Sequence, residues 1–315
     1  MVKWIIILVL LFTAGVCLAA FKMYRMAFNR SGNREEAFET DHNLIAAPAA
    51  ELLNPVKEKK VEWQETSIEK SVQLQSVDGL RLQGYVYPQK ESKRWVLLVH
   101  GFGGNHKEMF DKAPYFAELG YNLLLPDNRA HGESEGQLIG FGWQDRLDIL
   151  VWINYLIEQE SECEIILYGI SMGAAAVMMT LGEELPRQVK AAIEDCGYSS
   201  VGEELSYQLK QIFHLPSEPL LSIVSLINKL RQGWWLKEGS SVRQLSKNTR
   251  PTLFIHGTAD TFVPFEMLEK NVQAQKGLKD TLVIDKAQHG MAGIVGGETY
   301  WQTIREFLIE YTSLS

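Results

Sequence analysis

The chain has 315 residues, 46% of them hydrophobic, enough to bury a large core as one or two domains. Its net charge is −8, so it offers no basic surface to a phosphate backbone, which argues against nucleic acid as a partner. Its three cysteines, Cys17, Cys163 and Cys196, lie too far apart for a disulfide framework or a clustered zinc site, and read as small hydrophobes.

The chain opens with an uncharged run over residues 4–21, rich in Ile, Leu, Val and Ala, between Lys3 and Lys22. It approaches the ~20 residues that a helix needs to cross the hydrocarbon layer. It exceeds the ~7–15-residue core of a secretory signal. Residues 1–28 are therefore read as a membrane anchor, with a cleaved signal as the alternative because Cys17-Leu18-Ala19 supplies small residues. Lys22, Arg25, Arg30 and Arg34 follow the run, which counts toward a cytoplasmic domain, but Glu35, Glu36 and Glu39 dilute that bias and leave the side open. Residues 29–69 form a polar juxtamembrane stretch without strong periodicity, interrupted by the apolar residues 44–50.

From residue 70 the pattern is regular. Residues 72–77 and 80–87 alternate apolar and polar around Asp78-Gly79, the signature of an antiparallel hairpin. Near-continuous apolar strands follow at 95–99, 122–125, 164–168, 191–194, 252–255 and 281–284, as expected where helices cover both faces of a parallel sheet. Helical spacing fills 107–119, 143–159, 172–184, 265–276 and 298–311. Strands alternating with helices imply a mostly parallel sheet of eight strands with right-handed crossovers. Residues 199–250 break the alternation; the interval is too long for a simple connection and reads as an inserted helical cap. The domain so defined spans 70–315.

The strand at 164–168 runs into Gly169-Ile170-Ser171-Met172-Gly173 and then Ala174-Ala175-Ala176. This is G-x-S-x-G between a strand and a helix, the setting that turns the pentapeptide into a nucleophile elbow. Glycines leave no side chain to clash across the sharp turn. The hydroxyl of Ser171 then stands at a helix N-terminus, where partial positive charge favours developing negative charge. Such an elbow takes its partners in the order serine, acid, histidine. Of seven histidines, His289 is the preferred base, because it follows the last strand in a short loop, whereas His214 lies in the cap and His256 in a strand end. Asp260, just past the seventh strand, is the preferred acid and Asp195, past the sixth, the alternative. The oxyanion donors are read as the backbone amides of Met172, directly after the nucleophile, and Phe102, in the loop His100-Gly101-Phe102-Gly103-Gly104-Asn105. No Gly-Lys-Ser/Thr follows that loop, so it is no phosphate cradle.

These segments, with Asp127-Asn128-Arg129-Ala130-His131-Gly132-Glu133-Ser134, His256-Gly257-Thr258-Ala259-Asp260 and Gln288-His289-Gly290, resemble the α/β-hydrolase superfamily over residues 70–312. Within it the chain resembles membrane-anchored serine hydrolases of Gram-positive bacteria, grouped with prolyl-oligopeptidase-like and carboxylesterase-like proteins. The resemblance implies an eight-stranded sheet with an antiparallel second strand, and no metal or organic cofactor. It also implies that Asp127 and His131 form a structural turn beside the pocket.

Asp145 and Asp148 read as a solvated or locally paired helix face, and Glu203-Glu204 as a solvated helix start, the alternative being an amino-terminus anchor in a peptidase. Trp234-Trp235 either line an acyl pocket or hold the cap down. The expected activity is hydrolysis of a carboxylic ester through an acyl-enzyme, on a small acyl ester or short peptide, with a serine peptidase or acyl thioesterase as the alternative.

Overall fold

The alternating run at residue 70 folds as a hairpin, β1 (Lys70–Gln75) and β2 (Arg81–Tyr87). Its turn is closed by the Ser76 amide donating to the Leu80 carbonyl at 2.8 Å, and Gly79 takes φ +89°, which a glycine tolerates without strain. The computed structural model describes residues 2–30 and 47–313; Arg34, Glu35, Glu36, Glu39 and residues 44–46 lie outside the described residues. The remaining strands are β3 (Arg94–Val99), β4 (Asn122–Pro126), β5 (Glu164–Ile170), β6 (Val189–Asp195), β7 (Thr252–Gly257) and β8 (Lys279–Ile284). They form one eight-stranded sheet in the order β1-β2-β4-β3-β5-β6-β7-β8. β2 is antiparallel to both β1 and β4, and every other neighbour is parallel. This is the α/β-hydrolase fold.

Side chains alternate across each strand, so the apolar strands feed two cores at once. Val96, Leu98, Ile166 and Tyr168 face one side, where α3 (Ala113–Glu118) and α10 (Ala292–Tyr311) cover them. Leu97, Val99, Ile165 and Leu167 face the other, beneath α4 (Asp145–Gln159), α5 (Met172–Thr180) and α9 (Glu266–Ala274). The helix expected at 107–119 is divided: a 3-10 turn spans His106–Asp111 and α3 starts anew at Ala113. Pro114 accounts for the break, because it has no N–H to continue the ladder from the preceding turn. The last helix begins at Ala292 rather than 298 and kinks at Gly297, whose φ of +49° and ψ of −123° are not helical.

Two segments outside the sheet are ordered parts of the molecule. α2 (Ala47–Thr66) lays Trp63 against Tyr87 and Phe110, at ring centroid distances of 4.8 and 5.4 Å, and Lys59 reaches Glu118 at 2.6 Å. The interval 199–250 forms α6 (Val201–Phe213), α7 (Leu220–Gln232), a 3-10 turn (Leu236–Glu238) and α8 (Ser241–Leu245). The N-terminal helix α1 (Val2–Phe28) is long and apolar enough to cross a membrane. Its C-terminal end does not stand free: Ala20, Tyr24 and Phe28 are buried against the cap, in one cluster with Val224, Trp234 and Phe141.

Candidate active site

The site begins with the geometry of one turn. Ser171 joins β5 to α5 with φ +55° and ψ −117°, a strained conformation for a residue with a side chain. The two glycines of the pentapeptide make this possible. A Cβ on Gly169 would stand 2.3 Å from the Gly173 carbonyl oxygen, and one on Gly173 would stand 2.1 Å from that of Val99. The Ser171 amide donates to the Asp195 carbonyl at 2.8 Å, which pins the turn to the neighbouring strand end. Its side chain does not cap α5, so the hydroxyl is left for another partner.

That partner is His289, in the loop between β8 and α10. Its Nε2 lies 2.8 Å from Ser171 Oγ, and its Nδ1 lies 2.8 Å from Asp260 Oδ2. Asp260 follows β7 and is buried; its Oδ1 accepts from the backbone amides of Phe262 (2.9 Å) and Val263 (2.8 Å). Burial works to raise the Asp260 carboxyl, but the charge of His289 and the bonds from His256 and His289 hold it well below the usual carboxylate range. Burial pulls the His289 imidazole down, and Asp260 more than reverses this, leaving it above its ordinary value.

The loop after β3 passes beside the nucleophile: a Cβ on Gly101 would lie 3.5 Å from Ser171 Cβ. Phe102 follows Gly101, and Met172 opens α5 directly after Ser171. Buried histidines brace the loop. His131 Nε2 accepts from the Gly103 amide at 3.1 Å while its Nδ1 lies 2.9 Å from the Arg129 carbonyl oxygen. His100 Nε2 accepts from the Asn128 amide at 2.9 Å, and its burial lowers its pKa. Asp127 accepts from the amides of His106 and Glu133, both at 2.8 Å, and faces His106 Nδ1 at 2.9 Å. Asp127 and His131 thus hold the turn that shapes the loop. Arg129 forks onto Asp148, through Nε and Nη2 at 2.7 Å each, and onto Asp78. Asp145 and Asp148 are buried, so that helix face is internally bonded rather than solvated.

The alternative acid, Asp195, is engaged elsewhere: its Oδ2 accepts from Tyr300 at 2.8 Å and Tyr168 at 3.2 Å. His214 caps the end of α6 in the left-handed region, remote in role from Ser171. The cap contributes a residue that sequence reading placed in solvent. Glu204 is buried; Oε1 accepts from Gln208 at 2.8 Å, and Oε2 has no partner among the described residues. Burial pushes its carboxyl up to about 8, with His289 and Asp260 close enough to act on it. Its neighbour Glu203 points away and pairs with Lys270 at 3.0 Å. A second missed residue is His256, whose Nε2 lies 3.3 Å from Asp260 Oδ2. The signal for it was available, since His256 and Asp260 flank one short turn after β7. Trp234 is buried 6.5 Å from the Phe28 ring, on the side of holding the cap down. Cys196, Asp260 and His289 bring a thiol, a carboxylate and an imidazole within 4.8 Å of one another, but the latter two are already bonded to each other.

A strained serine above the carboxyl ends of a mostly parallel sheet, on this topology, defines an α/β-hydrolase. The chain belongs to the family described as serine aminopeptidase, S33, whose model matches residues 90–250. It is 28% identical to the uncharacterized protein YqkD of Bacillus subtilis, over 75% of this chain and 77% of that one. Its fold is similar to that of an esterase of Pyrococcus furiosus (TM-score 0.64, 22% identity, 79% of this chain and 95% of that one). It is also similar to that of an acylaminoacyl peptidase of Pyrococcus horikoshii (TM-score 0.61, 18% identity, 80% of this chain and 43% of that one). The protein is a hydrolase of the S33 family.

Proposed function

We propose that the protein is a serine hydrolase that cleaves a carboxylic ester through an acyl-enzyme intermediate. The observation that carries this reading is the unbroken row from Ser171 Oγ to His289 Nε2 and from His289 Nδ1 to Asp260 Oδ2, each step 2.8 Å. Ser171 Oγ attacks the acyl carbon as His289 takes its proton, and Asp260 orients the imidazole and stabilises its charged form. The amides of Phe102 and Met172 receive the oxyanion, a contribution of about 3 kcal/mol per donor in comparable sites. His289 then passes the proton to the leaving alcohol. Water, deprotonated by the same imidazole, releases the acid and restores Ser171.

The same machinery serves a peptidase or an acyl thioesterase, and the fold likeness to an acylaminoacyl peptidase keeps the amide reading in view. The ester reading is preferred because Glu203 is turned to Lys270 and Glu204 is buried, so this acidic pair is not presented to a free amino terminus. The helix α1, with its exposed apolar residues from Val2 to Phe12, supports a single-pass membrane anchor. A fluorophosphonate probe tests the nucleophile: Ser171→Ala should abolish labelling, and labelling that persists would overturn the assignment. Turnover of short p-nitrophenyl esters against peptidyl amides and acyl thioesters then separates the reaction classes.

A further inference from the structure

The anchor and the cap are not joined by a loose tether. Tyr24 of α1 donates to Asn228 of α7 at 3.4 Å, and Arg231 Nη1 reaches Asn29 Oδ1 at 3.4 Å. The paired residues advance together, so the two helices lie side by side in the same sense. Leu220 precedes Asn228 by eight residues, and a rise of ~1.5 Å per residue sets it about 12 Å toward the N-terminal end of α1, level with about residue 16. Val16 accordingly packs in the same apolar cluster as Leu220, Leu221, Ile223 and Val224. Position 16 lies inside the uncharged run 4–21, about 7 Å short of its end at the same helical rise.

The start of α7 and the turn before it therefore occupy the depth of the anchor's own apolar segment. That turn exposes three large apolar side chains among the polar Lys210, Gln211, His214 and Glu218. Ile212, Phe213 and Leu215 are 39%, 40% and 41% exposed. The turn is folded back on itself by a 2.8 Å bond from Ser206 to Ser217, so these side chains form a fixed tip. Midway along α6, Tyr207 donates to the Thr261 carbonyl at 3.1 Å and Gln208 to the Phe262 carbonyl at 2.8 Å, beside Asp260.

From this arrangement we infer that the α6–α7 tip, formed by Ile212, Phe213 and Leu215, is a lipid-inserting surface seated at the boundary between headgroups and acyl chains. The inference rests on reading α1 as the membrane anchor. Apolar side chains that would be a liability in water are stabilised at that boundary, in the manner of interfacial helices. α6 then runs from the lipid boundary to the catalytic loop, so amphiphilic acyl esters held in the bilayer are the substrate class closest to hand.

The full chain carrying Cys17→Ser, reconstituted in phosphatidylcholine vesicles, allows specific labelling, because Cys163 and Cys196 are buried. An environment-sensitive fluorophore is placed at Leu215→Cys, at Val9→Cys within the anchor, and at Lys90→Cys in the exposed loop before β3. Lipids bearing a nitroxide near the top of the acyl chain should quench the Leu215 and Val9 labels several-fold more than the Lys90 label. Quenching at Val9 with Leu215 no more affected than Lys90 would overturn the inference and leave the anchor standing. Quenching at none of the three would overturn the anchor, and the inference with it.

Discussion

His256 Nε2 stands 3.3 Å from Asp260 Oδ2, the oxygen that His289 Nδ1 approaches to 2.8 Å. One carboxylate oxygen is thus held between two imidazoles, one facing the nucleophile and one facing the core. His256 also lies 2.9 Å from the Val263 carbonyl oxygen, so its ring is fixed on both counts. Replacing it with leucine leaves Asp260 its two backbone donors and His289 but removes the second imidazole beside Oδ2. We expect kcat to fall about tenfold, or about 1.4 kcal/mol, with KM little changed. Steady-state kinetics on a p-nitrophenyl ester will decide; an unaltered kcat would show that His256 only fills space.

Asp260 and Asp195 separate by consequence. Asp260→Asn should reduce kcat by about 10⁴-fold, since an amide stabilises the wrong imidazole tautomer. Asp195→Asn should leave turnover within a few-fold, while its loosened bonds to Tyr168 and Tyr300 lower the melting temperature. The reverse pattern would reassign the acid.

The pH dependence follows from His289. Catalysis needs the neutral imidazole, and Asp260 raises its pKa above the ordinary value near 6.5. The acidic limb of kcat/KM should therefore be centred above pH 6.5 and fall as pH drops. Stability runs the other way: the charged His289–Asp260 pair stabilises the fold at low pH, and that contribution is lost as pH rises through the raised pKa. A limb centred well below 6.5 would contradict the geometry.

Glu204 supplies a second pH effect of the same sign in stability. Its carboxyl titrates at about 8 in the fold and ordinarily near 4.5, so the folded state holds a proton that the unfolded chain has lost between these values. Stability should decline across that window as pH rises. Glu204→Gln removes the titration, so its melting temperature should exceed the parent's at pH 8 and converge with it at pH 5. Equal differences at both pH values would mean that Glu204 is ionised when folded.

The strands and the elbow were legible in the sequence because each carries a local signal: continuous apolar runs in one case, glycines flanking a serine in the other. Sequence reading prefers Asp260 to Asp195, but no local signal excludes the second, since both follow a strand end. What separates them is the direction of the carboxylate, and that is set by Tyr168 and Tyr300, far away in the chain. Glu204 sits in a helix start that looks solvated, and only the packing of the cap over the loop at Phe262 buries it. The 29–69 stretch offers only short helices to sequence reading, and the full length of α2 escapes it for a related reason: it docks through Trp63 and lysine side chains rather than a continuous apolar stripe.

The stacked rings of Tyr24 and Phe28, 4.6 Å apart, continue through Phe141, 4.6 Å from Phe28, to Phe102, 5.4 Å further on. The last turns of α1 are in this sense part of the domain's core. A cut after Ala19 would plant a new ammonium group on Ala20, which is wholly buried, and desolvating that charge is costly. Removing residues 2–28 altogether would strip Phe141 and Trp234 of their cover, within two rings of Phe102. The helix α1 and the domain are thus packed as one piece.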